Sequence, residues 1–148
     1  MDDDVRREAM VRFLRQTGTD PAGAHELYHE DAVLEFPQSG ERFVGRQAFS
    51  EWRKAYPAKV DFRIRRITGQ GDLWLGEVLI SYDDGPPLLG LNIVQFRDDR
   101  IAREIIYWME RSEAPDWRAG YATRFDPLAS ISVDDWKPGV LFGLEAEG

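Results

Sequence analysis

Apolar residues recur at helical spacing through the first third of the chain and then switch to one-for-one alternation from residue 59 onward. Asp2, Asp3 and Asp4 stand ahead of Val5, Ala9, Met10, Phe13 and Leu14, a helical stripe whose N-terminal acids suit the helix dipole. Gly18 predicts the stop. Asp20-Pro21 reads as an N-cap followed by proline at the first helical position, opening a short helix through Tyr28 or His29. Ala32 to Phe36 is a strand ended by Pro37, Ser39-Gly40 a turn, and Arg42-Phe43-Val44 a second short strand. Ala48, Phe49, Trp52, Ala55 and Tyr56 then form one face of a helix closed by Pro57.

The alternating part begins with Val60, Phe62 and Ile64, set between Asp61, Arg63 and Arg65. Leu73 to Tyr82, Leu88 to Phe96 and Ile101 to Met109 continue it, separated by Asp83-Asp84-Gly85-Pro86-Pro87 and Asp98-Asp99. These runs predict a four-strand antiparallel meander long enough to curl round a core. Pro115 to Tyr121 holds one or two more helical turns. Residues 126–148 carry scattered apolar groups without a period, and a lid, an arm over a partner and partial disorder all stay open for them.

Composition narrows the partners. The net charge of −8, from 27 acidic and 19 basic residues without a basic stripe, disfavours nucleic acid and acidic membrane surfaces. The absence of cysteine removes disulfides, thiol catalysis and thiolate metal sites. No apolar run reaches the ~18 residues of a membrane span and no leader pattern opens the chain, so a cytoplasmic protein is expected. Hydrophobic residues at 43%, five tryptophans among them, suffice for one core in 148 residues.

His25-Glu26-Leu27-Tyr28-His29 spells H-E-x-x-H, which on a helix sets two imidazoles on one face for zinc. A catalytic zinc needs a third ligand, and these are the only histidines; Glu51 lacks any supporting pattern. The expectation is a surface helix with polar side chains and no metal or cofactor.

Helices, a strand pair, a helix and a four-strand meander make an α+β order. With residues 27–49 and the run Ile101-Ala102-Arg103-Glu104-Ile105-Ile106-Tyr107-Trp108, it resembles the nuclear-transport-factor-2-like superfamily, in its SnoaL-like, ketosteroid-isomerase-like branch. The resemblance covers about residues 5–122. It implies a cone-shaped curved antiparallel sheet wrapped around N-terminal helices, a barrel-like fold with a pocket between helices and sheet, and homodimers paired through the convex face. The domain would span 1–125, with 126–148 as an extension. An isomerase of that branch uses an Asp base, a Tyr and a protonated Asp. The matching positions here are Phe36, a residue near Met10, and Asn92, so all three roles are changed. Glu35, one residue from the base position, turns to the other face.

The same alignment turns Asn92 inward, with Leu88, Gly90, Val94 and Phe96. The inward sets beside it are Trp74, Gly76, Val78, Ile80 and Tyr82, and Ala102, Glu104, Ile106 and Trp108. Asn92 is the only asparagine in the chain, and both it and Glu104 interrupt apolar rows. A carboxylate in an apolar cavity is a candidate acid or base. Equally, Glu104 could form a structural ion pair with Arg12 or Arg15 of the first helix. Phe36, Trp52, Tyr56, Trp74, Val78, Ile80, Asn92, Val94, Glu104, Ile106 and Trp108 are the expected pocket lining. Leu89, Leu91, Ile93 and Gln95 form the opposite face, an apolar row that suits a dimer. Two functions stay open: a cofactor-independent isomerase, cyclase, dehydratase or hydrolase using Glu104 and Asn92, or a non-catalytic module binding a small, mostly apolar ligand.

Overall fold

The computed structural model describes residues 2–56 and 59–127. Helix α1 (Asp3–Thr19) is started by Asp2, whose carboxylate accepts from the Val5 amide at 2.9 Å. It buries Ala9, Met10, Phe13 and Leu14. Gly18 does not end the helix. It lies where α1 crosses the sheet, and a Cβ there would stand 2.8 Å from the Val60 carbonyl oxygen. Asp20 caps α2 (Pro21–His25) by accepting from the Gly23 amide.

The expected continuation of α2 to Tyr28 or His29 is overturned, because strand pairing takes over at that point. The Ile101 amide donates to the Leu27 carbonyl, and β1 (Tyr28–Phe36) starts at once, four residues ahead of the expected Ala32. After β2 (Glu41–Val44) comes α3 (Arg46–Ala55), then the meander β3 (Val60–Gln70), β4 (Leu73–Tyr82), β5 (Leu88–Arg97) and β6 (Arg100–Met109). The expected helical turns at 115–121 reduce to one 3-10 turn, Asp116–Arg118. The extension expected at 126–148 falls, from residue 128 on, outside the described residues.

The six strands form one curved, unclosed sheet in the order β2-β1-β6-β5-β4-β3. It is antiparallel throughout except where β1 runs parallel to β6, so the strand pair joins the far edge of the meander. Helix α1 packs across β3 and β4, and α3 across β1 and β2. The α1 start is tied down by Arg6, whose guanidinium pairs with Asp72 at 2.8 Å and donates to the Asp98 carbonyl. No described helix is long and apolar enough to cross a membrane.

Inward residues of β4 and β5 follow the expected parity: Trp74, Gly76, Val78 and Ile80, and Gly90, Asn92, Val94 and Phe96, are buried. In β6 the parity is broken. Gln95 pairs with Arg103 but Phe96 with Ile101, so Ala102 is the extra residue of a bulge. Ile101 is therefore fully buried while Ala102 is not, and the inward set reads Ile101, Glu104, Ile106 and Trp108.

Candidate functional site

Between the C-terminal ends of α1 and α3 and the sheet lies a cavity of about 220 Å³. Its walls are Thr17 and Gly18 from α1, Trp52, Arg53 and Tyr56 along α3, Phe36 from β1, Val60 and Phe62 from β3, Ile80 and Tyr82 from β4, and Ile106 and Trp108 from β6, with Pro21 and Lys59. The aromatic rings form a connected wall: Phe36 lies 4.9 Å from Trp108 and 5.4 Å from Trp52, Trp52 5.9 Å from Tyr56, and Tyr56 5.6 Å from Tyr82, between centroids. Such spacings are those of edge-on and offset aromatic pairs.

Six expected lining residues stand in this wall: Phe36, Trp52, Tyr56, Ile80, Ile106 and Trp108. Trp74, Val78, Asn92, Val94 and Glu104 are buried but do not line it. The physical reason is α1, whose Met10, Phe13 and Leu14 fill the half of the interior in front of them. Gly76 shows how close that approach is, since a Cβ there would sit 2.6 Å from Leu14 Cδ1.

Behind the cavity lies a buried polar cluster. Glu104 is fully buried. Its Oε1 accepts from the Tyr28 hydroxyl, and its Oε2 accepts from Asn92 Nδ2 at 2.7 Å. The ion-pair partner is neither Arg12 nor Arg15 but Arg53 of α3, with Nη2 3.7 Å from Oε1. Arg53 Nη1 donates to the Tyr28 hydroxyl at 3.3 Å and to His25 Nε2 at 3.1 Å. Arg53 is the one member of this cluster that also lines the cavity. Arg53 is not among the lining residues expected from the sequence, although Phe49, Trp52, Arg53 and Tyr56 share the spacing of one helix face.

The surroundings set the protonation states. Burial raises the Tyr28 phenol well above its ordinary value; Arg53 opposes this and Glu104 adds to it. Burial works against the Arg53 charge, but Tyr28 and Glu104 outweigh it and hold the group above its usual range. His25 is lowered to about 4, first by burial and then by the charges of Arg53, Lys54 and Arg46. Its Nε2 accepts from Arg53, which assigns the ring proton to Nδ1. His25 Nδ1 and Asn92 Oδ1 are buried without a hydrogen-bond partner among the described residues.

The H-E-x-x-H letters do not make a helix face. His25 ends α2, whereas His29 belongs to β1 and donates from Nε2 to the Arg97 carbonyl at 2.6 Å. Among the described residues no three His, Cys, Asp or Glu side chains converge as a metal site. Glu35 points away from Phe36, toward Arg42 and Arg103. Met10 is fully buried core.

Residues 8–104 match the SnoaL-like domain, well over half of the chain. The chain belongs to the SnoaL-like family. A nuclear-transport-factor-2-like protein of unknown function from Burkholderia xenovorans LB400 is 34% identical, with a TM-score of 0.78 over 85% of this chain and 99% of its own. A provisionally named ketosteroid isomerase from Kribbella flavida DSM 17836 is 22% identical, with a TM-score of 0.78 over 88% of this chain and 98% of its own. A provisionally named polyketide cyclase from Sinorhizobium meliloti is 25% identical, with a TM-score of 0.59 over 68% of this chain and 94% of its own. No curated protein matches the sequence.

Proposed function

We propose that this SnoaL-like protein binds a small, mostly apolar organic molecule in the cavity between α1, α3 and the sheet. The observation that carries the reading is the union, in one cavity, of a continuous aromatic wall with Arg53, the one inner charged side chain among the described residues. Small-molecule sites have that make-up: apolar walls for affinity and a few convergent polar groups for orientation. Glu104 and Asn92 serve as positioning residues. Both Glu104 oxygens are engaged by Tyr28 and Asn92, and Arg53 stands between the carboxylate and the cavity.

A second reading, favoured by the placement of Arg53, is cofactor-independent isomerase, cyclase, dehydratase or hydrolase chemistry. Here Arg53 polarises a carbonyl or stabilises the oxyanion formed from it, as a fixed cation in a water-poor site does. The names given to the Kribbella and Sinorhizobium proteins lie in this range of reactions. A homodimer through the outer face completes the proposal. Leu75, Ile93 and Ile105 pair in a cross-strand ladder there, beside Leu91 and Tyr107, and all five retain exposure in the single chain.

Trp52 and Trp108 are the built-in reporters. Titration with a panel of small aromatic and alicyclic compounds should quench or shift tryptophan emission with saturation. Val60→Trp, which fills the cavity from β3, should abolish the response. Saturable binding that is indifferent to Val60→Trp would refute the site.

A further inference from the structure

We infer that the ligand of this cavity carries a carboxylate, and that Arg53 receives it as a two-pronged donor; this rests on the ligand-binding reading above. Among the described residues the cavity wall has two cationic side chains, Arg53 and Lys59, and no carboxylate, in a chain whose net charge is −8. Lys59 is already answered. It lies largely exposed, with Asp61 at 3.6 Å and Asp84 at 3.5 Å.

Arg53 is different. Its side chain is only 10% exposed, and among the described residues all its hydrogen bonds leave from Nη1, toward His25 and Tyr28. Glu104 stands 3.7 Å from Nη2, an ion pair beyond hydrogen-bond length, and both its oxygens accept shorter bonds from Tyr28 and Asn92. Nη2 and Nε therefore keep donors to offer. A guanidinium presents its N–H groups in a planar fork that fits both oxygens of a carboxylate. A neutral carbonyl would use one prong only. Its guanidinium carbon lies 5.8 Å from the ring centres of Tyr28, Phe49 and Trp52, the last of them part of the aromatic wall that would hold the ligand body. The chemical class is thus a compact aromatic carboxylic acid, bound ionised, with its ring among Phe36, Trp52 and Trp108.

The test uses the full chain, calorimetric titration near neutral pH, and two probes of equal shape, 2-naphthoate and the neutral 2-naphthamide. Charge-assisted bonds of this kind should make naphthoate about 10- to 100-fold tighter than the amide. The double variant Arg53→Gln/Glu104→Gln removes both charges together and should erase that preference. Arg53→Lys keeps the charge, loses the fork, and serves if the double variant does not fold; it should cut the preference several-fold. Val60→Trp should weaken both probes. Equal affinity for the two probes, both weakened by Val60→Trp, overturns the carboxylate and leaves the cavity reading standing. A naphthoate preference that survives in the double variant, or in Arg53→Lys at full strength, overturns Arg53 as its receptor. Failure of both probes to bind at millimolar concentration overturns both readings.

Discussion

Glu104→Gln is the substitution that most directly asks what the buried cluster does. It keeps the shape of the side chain and removes the charge that faces Arg53. Hydrogen bonding can largely survive the change: the Gln carbonyl can still accept from Tyr28, and Asn92 can turn its unpartnered Oδ1 toward the new amide. The charge cannot be replaced. Unit charges about 4 Å apart attract by about 4 kcal/mol at an effective dielectric near 20, and the Arg53–Glu104 separation is 3.7 Å. Removing one partner of a buried pair typically costs about 3–5 kcal/mol because the other charge is stranded. We expect a loss of about 3 kcal/mol, which for a chain of this size lowers Tm by roughly 6–12 °C. Arg53→Met should cost a similar amount. The double variant should be more stable than the sum of the two by about 2 kcal/mol, since it leaves no charge unpaired. Urea unfolding at pH 7 and one fixed protein concentration measures all four forms. A Glu104→Gln protein within about 0.5 kcal/mol of the parent, or a strictly additive cycle, would falsify the ion pair as the organising interaction.

Two further outcomes follow from the same structure. His25 is lowered to about 4 from an ordinary 6.5, so between those values the unfolded chain binds a proton that the folded one refuses. Its contribution is fully present above about pH 6.5 and is lost as pH falls toward 4; His25 should account for about 2 kcal/mol of stability lost between pH 7 and pH 5, seen as a flatter profile in His25→Gln. A matching slope in parent and variant would contradict the burial argument. On the outer face, Ile93→Asp should convert a dimer to monomers in sedimentation velocity without changing the circular dichroism; a parent that sediments as a monomer removes the dimer proposal.

Periodicity decided more of this fold than of its site. The family resemblance sets which side of β5 faces in, and alternation then carries Trp74, Asn92, Val94 and Glu104 to the inner face, where all four are buried, because a strand's side chains can only point to one side or the other. It failed at Ala102, where a bulge shifts the parity by one, and alternation carries no mark of a bulge. Local letters also misplaced the end of α2, since pairing between Leu27 and Ile101, 74 residues apart in the chain, outcompeted the helix there.

The cavity was legible only in part. Sequence alone could say that Phe36, Trp52, Ile80 and Trp108 face the interior together with Trp74, Val94 and Glu104. Which of these meet empty space depends on where α1 crosses the sheet, and that crossing is a contact between distant segments: Leu14 against Gly76, Gly18 against Val60. The same holds for Arg53. Helical spacing puts it on the face of Trp52 and Tyr56, but only the packing of α3 over β1, the strand paired with β6, brings its guanidinium between Glu104 and the cavity. Facing inward is a property of one element and its period. Being filled, hollow or charged inside is a property of what the other elements place opposite, and only tertiary structure supplies that.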